Sequence, residues 1–208
     1  MAEKKDPQLK TLILSVFFSA FGPLVSGWAV TLNTASTQLA DFTRRSLEFG
    51  VLIFALYVYV RVRHQAMSPQ RRQRLERRIA KLAACVLFAG AFFLLMLFIR
   101  GIQQPSTPEG SVIPGVSIAV LGALFNGTFF FRYRRFHQTS GDVVMGTQSK
   151  LYQAKTVVDV HVIVALTSVL VFGASHVTLW IDRVGTVGIA MYLLVRGVMM
   201  FKQPIVTI

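Results

Sequence analysis

A chain of 208 residues that is 53% hydrophobic, only 15% charged and still sums to +13 is not composed like a soluble domain. Its apolar residues come in long runs with a mean hydropathy of +0.56, which excludes a water-soluble globular fold. The Lys and Arg excess sits in short segments between those runs, which marks membrane-protein loops rather than a nucleic-acid surface, and the single cysteine, Cys85, excludes an internal disulfide.

Six runs reach the roughly 20 residues that cross a hydrocarbon core. The first, about 11–32, is too long for a signal-peptide core and has no small-residue cleavage site behind it, so it reads as a helix. The second, about 36–60, opens on the charged stretch QLADFTRRSLEF and closes in VLIFALYVYV. The third, about 79–99, holds Cys85 as a small lipid- or core-facing residue. The fourth, about 113–131, carries Asn126 at mid-membrane depth, as a residue that hydrogen-bonds between helices does. The fifth, about 151–173, carries Gln153, Lys155, Asp159 and His161. The sixth, about 180–201, opens at Trp180 with His176 just before it, in the interfacial zone where amphipathic rings collect. The expected organisation is a tail at 1–10, one transmembrane domain at 11–202, and a short tail at 203–208 with no cytoplasmic domain.

Charge orients the helices. The 2–3 segment holds Arg61, Arg63, Arg71, Arg72, Arg74, Arg77, Arg78 and Lys81 against Glu76, and the 4–5 segment holds Arg132, Arg134, Arg135 and Lys150 against Asp142. The alternate connections are nearly neutral: NTAST carries no charge, the 3–4 loop has Arg100 and Glu109, and the 5–6 loop has Asp182 and Arg183. The positive-inside rule therefore predicts an all-α membrane protein, a six-transmembrane-helix bundle with both termini cytoplasmic, and the expected location is multi-pass in a bacterial inner membrane. The basic segment at 61–81 suits anionic lipid headgroups, each Lys or Arg contributing about 1 kcal/mol near the surface, as well as fixing topology.

Ionisable groups inside the span are costly and usually functional. Asp41, Arg44, Arg45 and Glu48 stand three and four residues apart, which places opposite charges side by side on one helix. Arg44 lies about 12 Å in from Ser36 at 1.5 Å per residue. An unpaired charge at that depth costs roughly 2.5–3.5 kcal/mol on insertion scales. One reading of the quartet is a salt-bridge cluster that satisfies itself. On the fifth helix Lys155 and Asp159 have pairing distance, whereas Asp159 and His161 are about 200° apart. The other reading is a cation or proton site built from Asp41, Glu48, Asn126 and Asp159 with His161. There is no nucleophile–base set, phosphate loop or zinc spacing, so no enzyme activity and no cofactor are expected. Gly22, Gly27, Gly122, Gly185 and Gly188 give small-residue patches for close helix contact.

Several segments resemble the cation diffusion facilitators, metal-ion/proton antiporters that export divalent ions. QLADFTRRSLEFGVLIF resembles the family's helix 2, where an Ala-Asp pair precedes two ligand positions four apart, and RIAKLAACVLFAGAFFLLM is similar to the start of its helix 3. GALFNGTFFFRYRRF leading to SKLYQAKTVVDVHVIVALTSVLV resembles helices 4 and 5, and WIDRVGTVGIAMYLLVRGVMMFKQ resembles helix 6. The likeness covers about 10–202. It implies a tetrahedral metal site from two residues on helix 2 and two on helix 5, here falling on Arg44, Glu48, Val158 and Val162. Of these only Glu48 can ligate a cation. Valine has no donor atom and arginine is a permanent cation.

The resemblance and its departures together predict a family scaffold without the metal site, a non-transporting accessory or interaction subunit. In it the Arg44 guanidinium fills the charge niche of the metal. The alternative is a divalent cation/proton antiporter with a rebuilt carboxylate site and Mn, Fe or Zn as transported substrate. Carboxylates favour harder ions. The resemblance also implies a homodimer or a larger membrane complex.

Overall fold

In the computed structural model each of the six apolar runs lies on one α-helix: α1 (Pro7–Leu32), α2 (Ser36–His64), α3 (Pro69–Gln103), α4 (Ile113–Ser140), α5 (Val143–Phe172) and α6 (His176–Lys202). The structure describes residues 6–32, 36–64, 68–103, 113–173 and 175–202. The expected turn at 33–35, Glu109 of the 3–4 loop and the tail at 203–208 lie outside them. Among the described residues, five helices are long and apolar enough to cross a membrane; α2 carries the charged stretch.

The helices run further than their apolar parts. Residues 61–64, 69–78, 132–140 and 143–150, expected as loop, are helical. Apolar content marks the hydrocarbon depth, whereas the backbone ladder continues through Arg, Lys, Gln and Glu, which are good helix formers. Local chemistry then sets the ends. Asp6 caps α1, its Oδ1 accepting from the amides of Gln8 (3.1 Å) and Leu9 (3.4 Å), and Pro7 fills the first helical position, where its missing N–H costs nothing. Asp142 caps α5 through Val144 N (2.8 Å) and Met145 N (3.1 Å), immediately after Gly141 turns the chain at φ +66. Gly173, at φ +63, closes α5 with its amide on Val169 O.

Six alternating helices return the chain to the end where it began. There Tyr59 and Arg63 at the end of α2 meet Asp6 before α1, and Lys81 near the start of α3 lies over the Phe201 ring at the end of α6, 5.3 Å from its centroid. The closest partnerships are α4 with α5, α3 with α6 and α1 with α2. Two apolar clusters result. One gathers Leu12, Leu52, Phe129, Tyr133 and Tyr152 from α1, α2, α4 and α5; the other gathers Val51, Leu87, Leu151, Ile189 and Leu193 from α2, α3, α5 and α6. Thus α2 and α5 contribute to both clusters, as does α3, whose Ile79 joins the first. Gly197 allows the α3–α6 contact, since a Cβ there would stand 2.7 Å from the Phe88 ring. Phe17, Trp28, Phe92, Leu124 and Val171 face outward, an apolar exterior that water would not tolerate and a bilayer does. The chain is an integral, multi-pass membrane protein.

Candidate functional site

Near the middle of the span, α2 and α5 meet through charge. Lys155 Nζ donates to Glu48 Oε2 at 3.1 Å, with the two side chains only 11% and 13% exposed. A pair so little exposed is unlike a surface salt bridge: removing one partner takes a neutralising charge from the other, which for buried pairs costs about 3–5 kcal/mol. The ammonium also lies 4.9 Å from the centroid of the Tyr152 ring, and Tyr152 Oη shares a 2.9 Å hydrogen bond with Ser19 Oγ of α1.

One turn further along α5, Asp159 Oδ2 accepts from Asn126 Nδ2 of α4 at 2.7 Å. The spacing of four residues puts Lys155 and Asp159 on one face. Gly122 lets the carboxylate approach α4, because a Cβ there would stand 3.2 Å from Asp159 Oδ2. Arg45 of α2 comes in from the other side and lies against Gly22 of α1, where a Cβ would stand 3.6 Å from its side chain. These groups line a cavity of about 390 Å³ between α1, α2, α4 and α5, with Phe18, Phe21, Phe49 and Phe125 supplying much of the rest of its wall.

Glu48 and Lys155 also line a second cavity, about 170 Å³, on the α3/α6 side. Its other walls are hydrocarbon and include Leu87, Gly90, Val158, Val162 and Leu193. The ion pair thus stands between a polar chamber and an apolar one.

Those of the expected site residues that the structure describes divide between the two cavities and the α5–α6 contact. Of the degenerate family positions Arg44, Glu48, Val158 and Val162, the last three share the apolar cavity; the side chain of Arg44 lies outside the described residues, as does that of Asp41. The quartet Asp41, Arg44, Arg45 and Glu48 does not settle its charges within α2 alone, because Glu48 reaches across to Lys155. Lys155 and Asp159, spaced for pairing along α5, also reach to neighbouring helices, Lys155 to Glu48 of α2 and Asp159 to Asn126 of α4. Glu48, Asn126 and Asp159 of the alternative cation site do share the larger cavity. His161 does not join them. It faces α6, with Nε2 3.5 Å from Thr186 Oγ1 and its ring so close to Gly185 that no Cβ fits there. The two-residue step from Asp159 rotates it away. No cluster of three or more His, Cys, Asp or Glu suited to a metal occurs among the described residues.

Sequence reading missed Glu48 as the partner of Lys155 and a network at the end of the bundle where the chain begins. In that network Tyr59 Oη donates to Asp6 Oδ2 at 2.9 Å, and Arg63 Nε pairs with the same oxygen at 3.2 Å. Beside it Arg72 Nε holds the buried Glu76 carboxylate at 2.8 Å, around a cavity of about 230 Å³ that Asp142 also lines. Only the i, i+4 spacing of Arg72 and Glu76 was a local signal.

The mid-membrane chamber holds the carboxylates of Glu48 and Asp159, the cations of Arg45 and Lys155, and the Asn126 amide. Within it Glu48 already has the Lys155 ammonium against it. The sequence profile of the cation efflux transmembrane domain matches residues 12–208. No curated protein matches the chain.

Proposed function

Since the chain belongs to the cation efflux family, we propose that it is a family scaffold that supplies its own mid-membrane cation, and that it serves as a non-transporting accessory subunit of a membrane assembly. The observation that carries this reading is the Glu48–Lys155 contact at 3.1 Å. The one carboxylate among the family's ligand positions has a tethered ammonium against it, and Val158 and Val162 leave hydrocarbon where two donors are needed. In this reading the protein is not an enzyme and needs no cofactor. It sits in a bacterial inner membrane with both termini in the cytoplasm, paired with a second copy or with another membrane protein.

The test is divalent-metal flux in proteoliposomes under a proton gradient. A matched variant carries Arg44→Asp, Val158→His and Val162→Asp together with Lys155→Met. The expected result is a silent wild type, with no thermal stabilisation by zinc, manganese, iron or cobalt, and a conducting variant. Flux through the wild type overturns the reading.

A second reading rests on a separate observation: Glu48, Asn126 and Asp159 line one chamber of about 390 Å³. In this reading the ion enters as the Lys155 side chain moves off Glu48, and two carboxylates with an amide oxygen suit a hard divalent ion as transported substrate. Abolition of wild-type flux by Glu48→Gln and by Asp159→Asn supports this reading. Metal tolerance unchanged in both variants removes it.

A further inference from the structure

The first three turns of α3 carry most of the charge between the second and third runs, and the structure sorts much of it by face. Glu76 is turned inward, 5% exposed, and held by Arg72, while Ile79, Ala83 and Leu87 are buried on the same side. Arg71, Arg74, Arg78 and Lys81 are exposed on the opposite side, with Arg77 at their edge. At about 100° per residue the first four fall within an arc of about 80° and extend about 15 Å along the axis.

The arc continues up the helix. Cys85, Phe92, Met96 and Ile99 lie in the same angular range and are exposed, Phe92 to 64%. In a multi-pass protein that exposed apolar line faces acyl chains. A cationic line directly below it therefore faces the headgroup layer rather than the interior of the bundle. Beside it Lys81 lies over the Phe201 ring of α6, next to the exposed Lys202, which brings a second helix into the same belt.

We propose that this face of α3, Arg71 to Lys81, is a docking surface for anionic phospholipid headgroups, with the acyl chains laid along Cys85, Phe92 and Met96. Long cationic side chains reach the headgroup plane while their stems cover hydrocarbon. The attraction falls off within a Debye length, so it acts on lipids in contact with the helix. The surface is independent of the mid-membrane ion pair.

The full-length protein in neutral detergent is titrated with phosphatidylglycerol or with phosphatidylcholine of the same chain length, and thermal unfolding is followed. Two variants are compared with wild type: Arg71→Gln/Arg74→Gln/Arg78→Gln, and Arg132→Gln/Arg134→Gln/Arg135→Gln, which removes equal charge from the end of α4. The expected result is a larger gain from phosphatidylglycerol than from phosphatidylcholine, weakened by salt, more than halved in the α3 variant and kept in the α4 variant. Equal gains from the two lipids overturn the proposal, as does an undiminished gain in the α3 variant, equal loss in both variants, or equal protection by a soluble polyanion. Photo-crosslinkable phosphatidylglycerol on wild type keeps the test open if the α3 variant does not fold. Adducts concentrated at 71–92 support the proposal, and adducts spread evenly over all six helices sink it.

Discussion

Lys155 and Glu48 are the residues on which the functional reading turns, and their energetics are asymmetric. Each side chain is nearly buried, so truncating either leaves the other's charge in a low-dielectric interior. Lys155→Met or Glu48→Gln alone is expected to lower stability by about 3–5 kcal/mol, and the double change to recover much of that loss. Unfolding in bicelles measures both, and additive losses would show that the two groups do not depend on each other. Gln148 presents the opposite case. It is fully buried, and neither its amide nitrogen nor its oxygen has a partner among the described residues. Such a group costs about 1–3 kcal/mol in desolvation without return. Gln148→Met, of similar length and without the amide, is expected to hold or raise the thermal midpoint; a clear fall would point to a bound water or ion at that amide.

At the level of helices, apolar runs and charge made the element count legible, because crossing a bilayer demands long uninterrupted hydrocarbon. Helix ends were not legible by hydropathy, since Asp142 and Gly141 stop and start helices inside a polar segment. The cap makes a specific forecast: Asp142→Ala removes the acceptor for Val144 N and Met145 N and costs about 1 kcal/mol, whereas Asp142→Asn retains an acceptor and costs little. Comparing the two thermal midpoints separates capping from charge. The candidate site was half legible for a related reason. Glu48, Asn126 and Asp159 stand out one by one as polar groups in apolar helices, and spacing shows which residues share a face. Spacing along one helix does not show which face meets which neighbour. The Glu48–Lys155 contact depends on the packing of α2 on α5, and the Asn126–Asp159 contact on the absence of a side chain at Gly122. His161 stands two residues from Asp159, and the rotation of about 200° between them turns it to α6 and away from the chamber.

For the molecule as a whole, the bundle gathers its charge at one end. The end of α2 with Arg61 and Arg63, the start of α3, the end of α4 with Arg132, Arg134 and Arg135, and Lys202 of α6 all share it. The other end holds Asp182 and Arg183 just inside α6 and Arg100 late in α3. A bilayer with an inside-negative potential and anionic cytoplasmic lipid favours the basic end inside, by about 2.3 kcal/mol per charge for each 100 mV crossed. Single cysteines in a Cys85→Ala background test this, because Ser140 at the end of α4 and Asp182 early in α6 are both exposed and lie at opposite ends. A membrane-impermeant maleimide is expected to label Asp182→Cys on intact cells and Ser140→Cys only after lysis. The reverse pattern rejects the orientation and, with it, a cytoplasmic-leaflet partner for the α3 face. Labelling of both on intact cells means that the chain inserts both ways. A dimer would then be free to pair two opposed copies, with the basic end of each on the opposite side of the membrane from its mate's.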